Sequence, residues 1–221
     1  MIDEFPFLVK ASPSLPSIIQ RELGPGGSGQ GSSVRLLLCG SAMSAMGACS
    51  RDMPRCGRAS LELLVRPFGY QDAARFWGAT DPELAVLLHS VVGGTPAYRR
   101  EFVAFDAPDG RGDFDGWLLR TVLSSQSPLF RKARYLLAEE TEIRDPALYH
   151  SVLAAIADGN RTNGAITSFV GRKSADITHP LNVLEDAALI AKEADVFRRG
   201  RWLYRVTEPL ITFYEVVMQP E

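Results

Sequence analysis

Residues 34–39, Val-Arg-Leu-Leu-Leu-Cys, are apolar with one charged interruption and stop at Gly40-Ser41. A run of that length without polar alternation is the profile of a strand buried on both faces, in a parallel sheet covered by helices. Such a strand needs a sheet neighbour on each side. The chain supplies one good companion, Leu61-Glu62-Leu63-Leu64-Val65, ended by Pro67, and a stub at Met1-Ile2. An α/β layer is therefore expected at the amino-terminal end. Its uncovered apolar edge is expected to favour self-association or docking.

The rest of the chain reads as mostly helical. Ser14–Leu23 reads as a short helix, with Pro13 and Pro16 around its first turn, where a missing N–H is harmless. Gly24–Ser33 reads as a flexible loop. Ala42–Cys49 is a helix of small residues, followed after the second strand by helices at Gln71–Trp77 and Pro82–Val92. Asp106–Asp113 is a polar turn region, and Phe114–Leu123 and Leu129–Glu140 are amphipathic helices. From Asp145 come helices at Pro146–Asp158, Thr162–Val170 and from Ser174 or Asp176 to about Leu189, the last interrupted near Pro180. Ile190–Glu193 and Trp202–Val206 then form a hairpin around a basic turn. Three short helices followed by a two-stranded wing describe a winged helix-turn-helix, and a final helix spans Pro209–Met218.

Composition removes several classes of function. The 221 residues are 46% hydrophobic and 23% charged, with 24 Lys and Arg against 26 Asp and Glu for a net charge of −2. That is the balance of a globular protein, and it argues against wholesale coating of nucleic acid while permitting a local basic patch. No apolar run approaches the roughly 18–20 residues of a membrane span, so no membrane partner is expected. The acidic opening Asp3-Glu4 is unlike a secretory signal. Cys39, Cys49 and Cys56 are three, with no Cys-x-x-Cys, which fits a reducing, cytoplasmic interior. His89, His150 and His179 are isolated, so each is expected to pack or face solvent, and no metal held purely by protein side chains is expected.

The chemistry concentrates at the strand ends. A hydrophobic strand ending in Asp-Glu, then a helix, then a second strand ending in a small hydroxyl residue, is the rear half of an ATPase core. In such a site the first carboxylate holds Mg²⁺, directly or through water, and the next orients the attacking water. Asp3 and Glu4 fit those roles, with Ser41 on the adjacent strand placed to bond the γ-phosphate or the water. The glycine-rich loop at 24–33 is no phosphate cradle, since it lacks the Gly-Lys-Ser/Thr ending and the flanking strand and helix.

Four segments, in order, carry a resemblance: Ile-Asp-Glu-Phe-Pro-Phe-Leu at 2–8, Leu-Leu-Leu-Cys-Gly-Ser at 36–41, Arg-Pro-Phe at 66–68 and Gly-Gly-Thr-Pro-Ala-Tyr at 93–98. They resemble the Walker B, sensor-1, following-strand and Gly-Gly-x-Pro motifs of the archaeal and bacterial P-loop ATPases related to AAA+ and STAND proteins. Tyr149–Gly159, Leu181–Leu189 and Tyr204–Tyr214 resemble the winged helix that follows in those proteins. The resemblance spans almost the whole chain. It implies an α/β remnant of a P-loop ATPase core over residues 1–70, a helical lid over 71–144, a winged helix over 145–208 and a C-terminal helix over 209–221. It implies Asp3 as the Mg²⁺-linked carboxylate, Glu4 as the hydrolytic base and Ser41 as the sensor. Arg58 takes the place of an arginine that approaches nucleotide phosphate. Gly93, Gly94 and Pro96 join core to lid and relay nucleotide state.

One part of the pattern is missing. These 221 residues contain no Gly-x-x-x-x-Gly-Lys-Ser/Thr, the loop whose N–H groups and lysine hold the β- and γ-phosphates. The chain thus reads as an ATPase truncated before Walker B, with ATP and Mg²⁺ the cofactors of full-length relatives and none expected for this chain alone. The competing reading is a non-enzymatic winged-helix module that binds DNA or docks on protein. Residues 159–205 hold eight Arg and Lys against five Asp and Glu, and Arg198, Arg199 and Arg201 in the hairpin turn are the candidate phosphate contacts. Asp176, Glu185 and Asp186 on the third helix oppose base readout by that helix.

Overall fold

In the computed structural model, residues 1–29, 31–33, 35–40, 61, 63–135 and 145–219 are described. Ser41, Arg58 and the expected helix at Ala42–Cys49 lie outside these residues. The described chain divides into two compact units, one within residues 1–64 and the other formed by residues 65–135 and 145–219.

In the first unit, Ile2 pairs in parallel with Leu38 through a single bridge. The Ile2 N–H donates to Leu37 O at 2.8 Å and the Cys39 N–H to Ile2 O at 2.9 Å. The sheet expected here is otherwise absent among the described residues: 35–39 carry no further strand pairing, and Leu61, Leu63 and Leu64, like Val65 at the start of the second unit, are exposed and outside any strand. A parallel strand gains its stability from neighbours on both edges and cover on both faces, and among the described residues 35–39 find only the single bridge to Ile2. Helix α1 (Phe5–Ala11) was not evident from the sequence, and α2 (Leu15–Leu23) follows it. Both carry proline in the first turn. The glycine-rich stretch turns back on α2 instead of running free. The Gly29 N–H donates to Glu22 O at 2.8 Å, Ser28 Oγ donates to Glu22 Oε2 at 2.6 Å, and a Cβ on Gly27 would stand 2.2 Å from Arg21 O. These glycines are needed for close approach to the helix end, not for flexibility alone.

The second unit begins with α3 (Tyr70–Trp77), closed by Gly78 in the left-handed region, and α4 (Pro82–Val92), whose first turn is capped by Asp81 Oδ1 accepting from the Glu83 N–H at 3.0 Å. After a π-helical turn at Tyr98–Phe102 come α5 (Phe114–Arg120) and α6 (Pro128–Tyr135). Their core gathers Trp77, Leu88, Val92, Tyr98, Trp117 and Leu129, with Trp77 and Trp117 edge to face at 5.7 Å. The polar stretch Asp106–Asp113 is pinned by Arg120, which bonds Asp106 at 2.9 Å and Asp113 at 3.0 Å.

Next come α7 (Pro146–Ala157), α8 (Asn163–Val170) and α9 (Ser174–Asp186). Thr162 Oγ1 caps α8 by accepting from the Ala165 N–H at 3.3 Å, and Gly171 ends it with φ 67°. Ile177, Leu181 and Leu184 form the buried face of α9, as their spacing predicts. The helix runs through Pro180 without the interruption expected there and stops at Asp186, with Ala187 buried just beyond it. Strands β1 (Ile190–Ala194) and β2 (Trp202–Val206) pair antiparallel, with Ile190 opposite Val206 and Ala194 opposite Trp202. Arg161, between α7 and α8, covers the other side of β2: its carbonyl accepts the Tyr204 N–H at 2.7 Å and its Nε donates to Tyr204 O at 3.2 Å. Helix α10 (Pro209–Phe213) runs on as a π-helical turn through Met218 and packs against both α4 and α7, so residues 65–135 and 145–219 share one body. Among the described residues no helix is long and apolar enough to cross a membrane.

Candidate functional site

Asp3 and Glu4 stand at the carboxyl end of the Ile2–Leu38 bridge, the side of a parallel pairing where α/β proteins bind their ligands. Glu4 takes a left-handed backbone, φ 49° and ψ 40°, unusual for a residue with a Cβ. Two contacts hold that turn: the Glu4 N–H donates to Asp3 Oδ1 at 3.0 Å, and the Phe5 N–H donates to Cys39 O at 2.9 Å while the Phe5 ring is buried. Both Asp3 and Glu4 are exposed to solvent. Among the described residues no group of three His, Cys, Asp or Glu side chains can hold a metal ion. Asp3 offers a single carboxylate, which suits Mg²⁺ only when phosphate oxygens and water complete its octahedron. Ser41 and Arg58, the other expected nucleotide contacts, lie outside the described residues.

The Gly-Gly-Thr-Pro turn is a built junction. Gly93 has φ 59°, and a Cβ there would stand 2.9 Å from Pro209 Cδ; a Cβ on Gly94 would stand 1.9 Å from Phe68 O. The Phe68 N–H donates to Gly94 O at 2.9 Å, so the segment 66–68 is tied to this turn. Pro96, half-buried, opens the next turn. Beside the turn sits Glu208, which gives no signal in the sequence because a glutamate before Pro209 looks like an ordinary helix start. Its Oε2 accepts from Thr95 Oγ1 at 3.4 Å. Burial pushes its pKa up to about 7, against the opposing pull of the Leu210 N–H, Thr95, Tyr98 and the Lys132 charge. A second hidden carboxylate, Glu215, is 1% exposed in its side chain and meets His150 Nδ1 at 2.8 Å. Thus His150 packs against an acid. Nothing in its sequence neighbourhood points to a partner 65 residues away.

The hairpin turn is ordered by Asp195. Its Oδ1 accepts from the Phe197 N–H at 2.9 Å, its Oδ2 lies 3.6 Å from the Arg201 Nε, and its own N–H donates to Arg201 O at 2.9 Å. Gly200, at φ 76°, lets the Arg201 N–H reach Arg198 O at 3.2 Å. Of the three arginines in this turn, Arg201 is therefore engaged inside it, whereas Arg198 and Arg199 are exposed. Arg161 and Arg205 both lean on Glu193, at 3.7 Å and 3.0 Å.

No protein-family model matches the chain. An uncharacterized protein of Methanocaldococcus jannaschii is 27% identical over 221 residues, which cover 97% of this chain and 47% of that protein. Among solved structures, a Walker-type ATPase of Pyrococcus abyssi superposes with a TM-score of 0.60 at 17% identity, over 96% of this chain and 61% of the other. The chain thus spans about half the length of that curated relative. The chain shares its fold with the matched part of that Walker-type ATPase.

Proposed function

We propose that these residues carry the Walker B corner, helical lid and winged helix of an ATPase related to AAA+ and STAND proteins, and that this polypeptide does not hydrolyse ATP by itself. The observation that carries the reading is the Asp3-Glu4 pair at the carboxyl end of a parallel bridge to Leu38. In this reading Asp3 would hold Mg²⁺, directly or through water, and Glu4 would orient the attacking water. Ser41 and Arg58 complete the contacts by sequence position. Gly93, Gly94 and Pro96 couple that site to the lid. When bound, Mg²⁺ would neutralise charge on the β- and γ-phosphates; the basic, amide-lined seat for those phosphates is not among the 221 residues. The winged-helix assignment is supported by three short helices, a closing hairpin and the Arg161 pairing to β2.

The test uses Mn²⁺ with ATP as a paramagnetic probe of the chain by NMR. Broadening at residues 2–5 and 38–40 that is lost in Asp3→Asn and does not saturate at micromolar Mn²⁺·ATP, as a corner without its phosphate seat requires, is the expected result. Broadening that ignores Asp3→Asn would overturn the assignment of this corner, and ATP turnover abolished by Glu4→Gln would overturn the claim that the chain is inactive alone.

A further inference from the structure

The exposed tip of the hairpin carries an inference that goes beyond nucleotide chemistry and holds whether or not the chain binds ATP. Val196 is 91% exposed and Phe197 96% exposed. An isolated exposed apolar residue needs no explanation, but here a phenylalanine stands at full exposure directly before Arg198 and Arg199. The loop beneath them is not slack: the Asp195 carboxylate spans it by bonding the Phe197 N–H and pairing with Arg201. The tip is a preformed display of one aromatic ring and two cationic side chains.

The helix that a winged helix-turn-helix ordinarily offers to nucleic acid is poorly charged for the task. Within α9 there is no Lys or Arg, and Glu185 and Asp186 close its carboxyl end. Asp176 bonds the Lys173 N–H at 3.3 Å and is occupied in starting the helix. Its exposed residues Ser174, Thr178, His179 and Asn182 can touch bases but contribute little attraction to phosphate. Exposed positive charge is therefore found at Arg172 and Lys173, just before α9, and at Arg198 and Arg199 on the hairpin, where alone it stands beside an exposed aromatic ring.

The geometry points to the hairpin as the leading contact with double-stranded nucleic acid, with Arg198 and Arg199 on phosphates of the two strands bordering a groove and Phe197 wedged at a base step. Apolar wedges of this kind insert at steps that unstack cheaply, such as TA, and arginine anchors them through counterion release. Charge complementarity selects nucleic acid as the occupant, and α9 then adds weak polar contacts.

Fluorescence anisotropy of the full chain with a labelled duplex containing a central TA step tests this. Binding at low salt is expected, with a log–log salt slope that falls by about 2 in Arg198→Ala/Arg199→Ala, because each phosphate contact contributes roughly 0.9 to it. Phe197→Ala is expected to leave the slope unchanged and to remove the preference for the TA-centred duplex over one without pyrimidine–purine steps. All three side chains are exposed, so the variants should melt with wild-type cooperativity, and a circular-dichroism melt verifies this. Absence of binding at low salt, an unaltered slope in the double arginine variant, or tighter binding to anionic phosphatidylserine vesicles than to duplex would each overturn the proposal. A null result at Phe197 alone would overturn the wedge.

Discussion

The two units of this chain answer the same physical demand in opposite ways. Residues 65–135 and 145–219 bury Trp117, Val92, Leu153, Leu184 and Leu210 completely or nearly so, in helices whose partners lie within the unit. Residues 35–39 and 63–64 are as apolar in sequence, yet Leu37, Leu63 and Leu64 remain exposed. An amphipathic helix satisfies its own backbone and needs only one covered face, whereas a buried parallel strand needs neighbours on both edges. Among the described residues, equal apolar content goes with burial where helices pack and with exposure where the only strand pairing is the Ile2–Leu38 bridge.

The sharpest way to test that contrast is a pair of substitutions. Trp117→Ala should cost about 3–5 kcal/mol in urea unfolding and can abolish the cooperative transition of the second unit, because the ring is fully buried and packed edge to face on Trp77. Leu63→Ser should stay within about 0.5 kcal/mol, as an exposed site does, while lowering any self-association seen by sedimentation. Should Leu63→Ser prove as damaging as Trp117→Ala, the strand is buried in solution.

At the junction, Gly94→Ala places a methyl group against the Phe68 carbonyl, and a loss of about 2 kcal/mol is expected from the forced backbone shift. Gly110→Ala, where an added Cβ meets nothing, is the control. A smaller and pH-dependent effect attaches to Glu208. Its folded pKa is raised above the ordinary value, so the folded state holds its proton more tightly; that stability is full below about pH 4.5 and is lost as pH rises through about 7. Glu208→Gln should therefore melt higher than wild type at pH 8, with the difference shrinking toward pH 5. Because a tenfold change in proton affinity is worth roughly 1.4 kcal/mol, the gap is on the order of 1–3 kcal/mol. A gap independent of pH would remove Glu208 as its cause.

Legibility in the sequence followed the range of the interactions. Pro82–Val92 and Trp202–Val206 match their expected bounds, and Thr162 and Gly171 bracket α8 where their chemistry places them, because caps and periodicity are local signals. At Asp3-Glu4 the sequence shows two adjacent carboxylates but not their backbone geometry: the left-handed turn at Glu4 is followed by the Phe5 N–H donating to Cys39 O, a contact no local pattern records. Helix α1 gives no local signal because Phe-Pro-Phe-Leu carries no capping residue of the usual kind. Glu208 beside Thr95 and Glu215 beside His150 join residues far apart in the chain, and no spacing rule reaches them. The basic excess of residues 159–205 was legible as a count, but only the structure sorts Arg201, Arg205 and Arg161, which face carboxylates, from Arg198 and Arg199.

Native-state amide exchange followed residue by residue tests the contrast between the units most directly. Slow exchange is predicted at Val92, Trp117, Leu153 and Leu184, with Leu36, Leu37, Leu63 and Leu64 exchanging near the rate of an open chain. Protection at Leu36, Leu37, Leu63 and Leu64 equal to that of Trp117 would contradict the account, since those amides would then belong to a formed sheet.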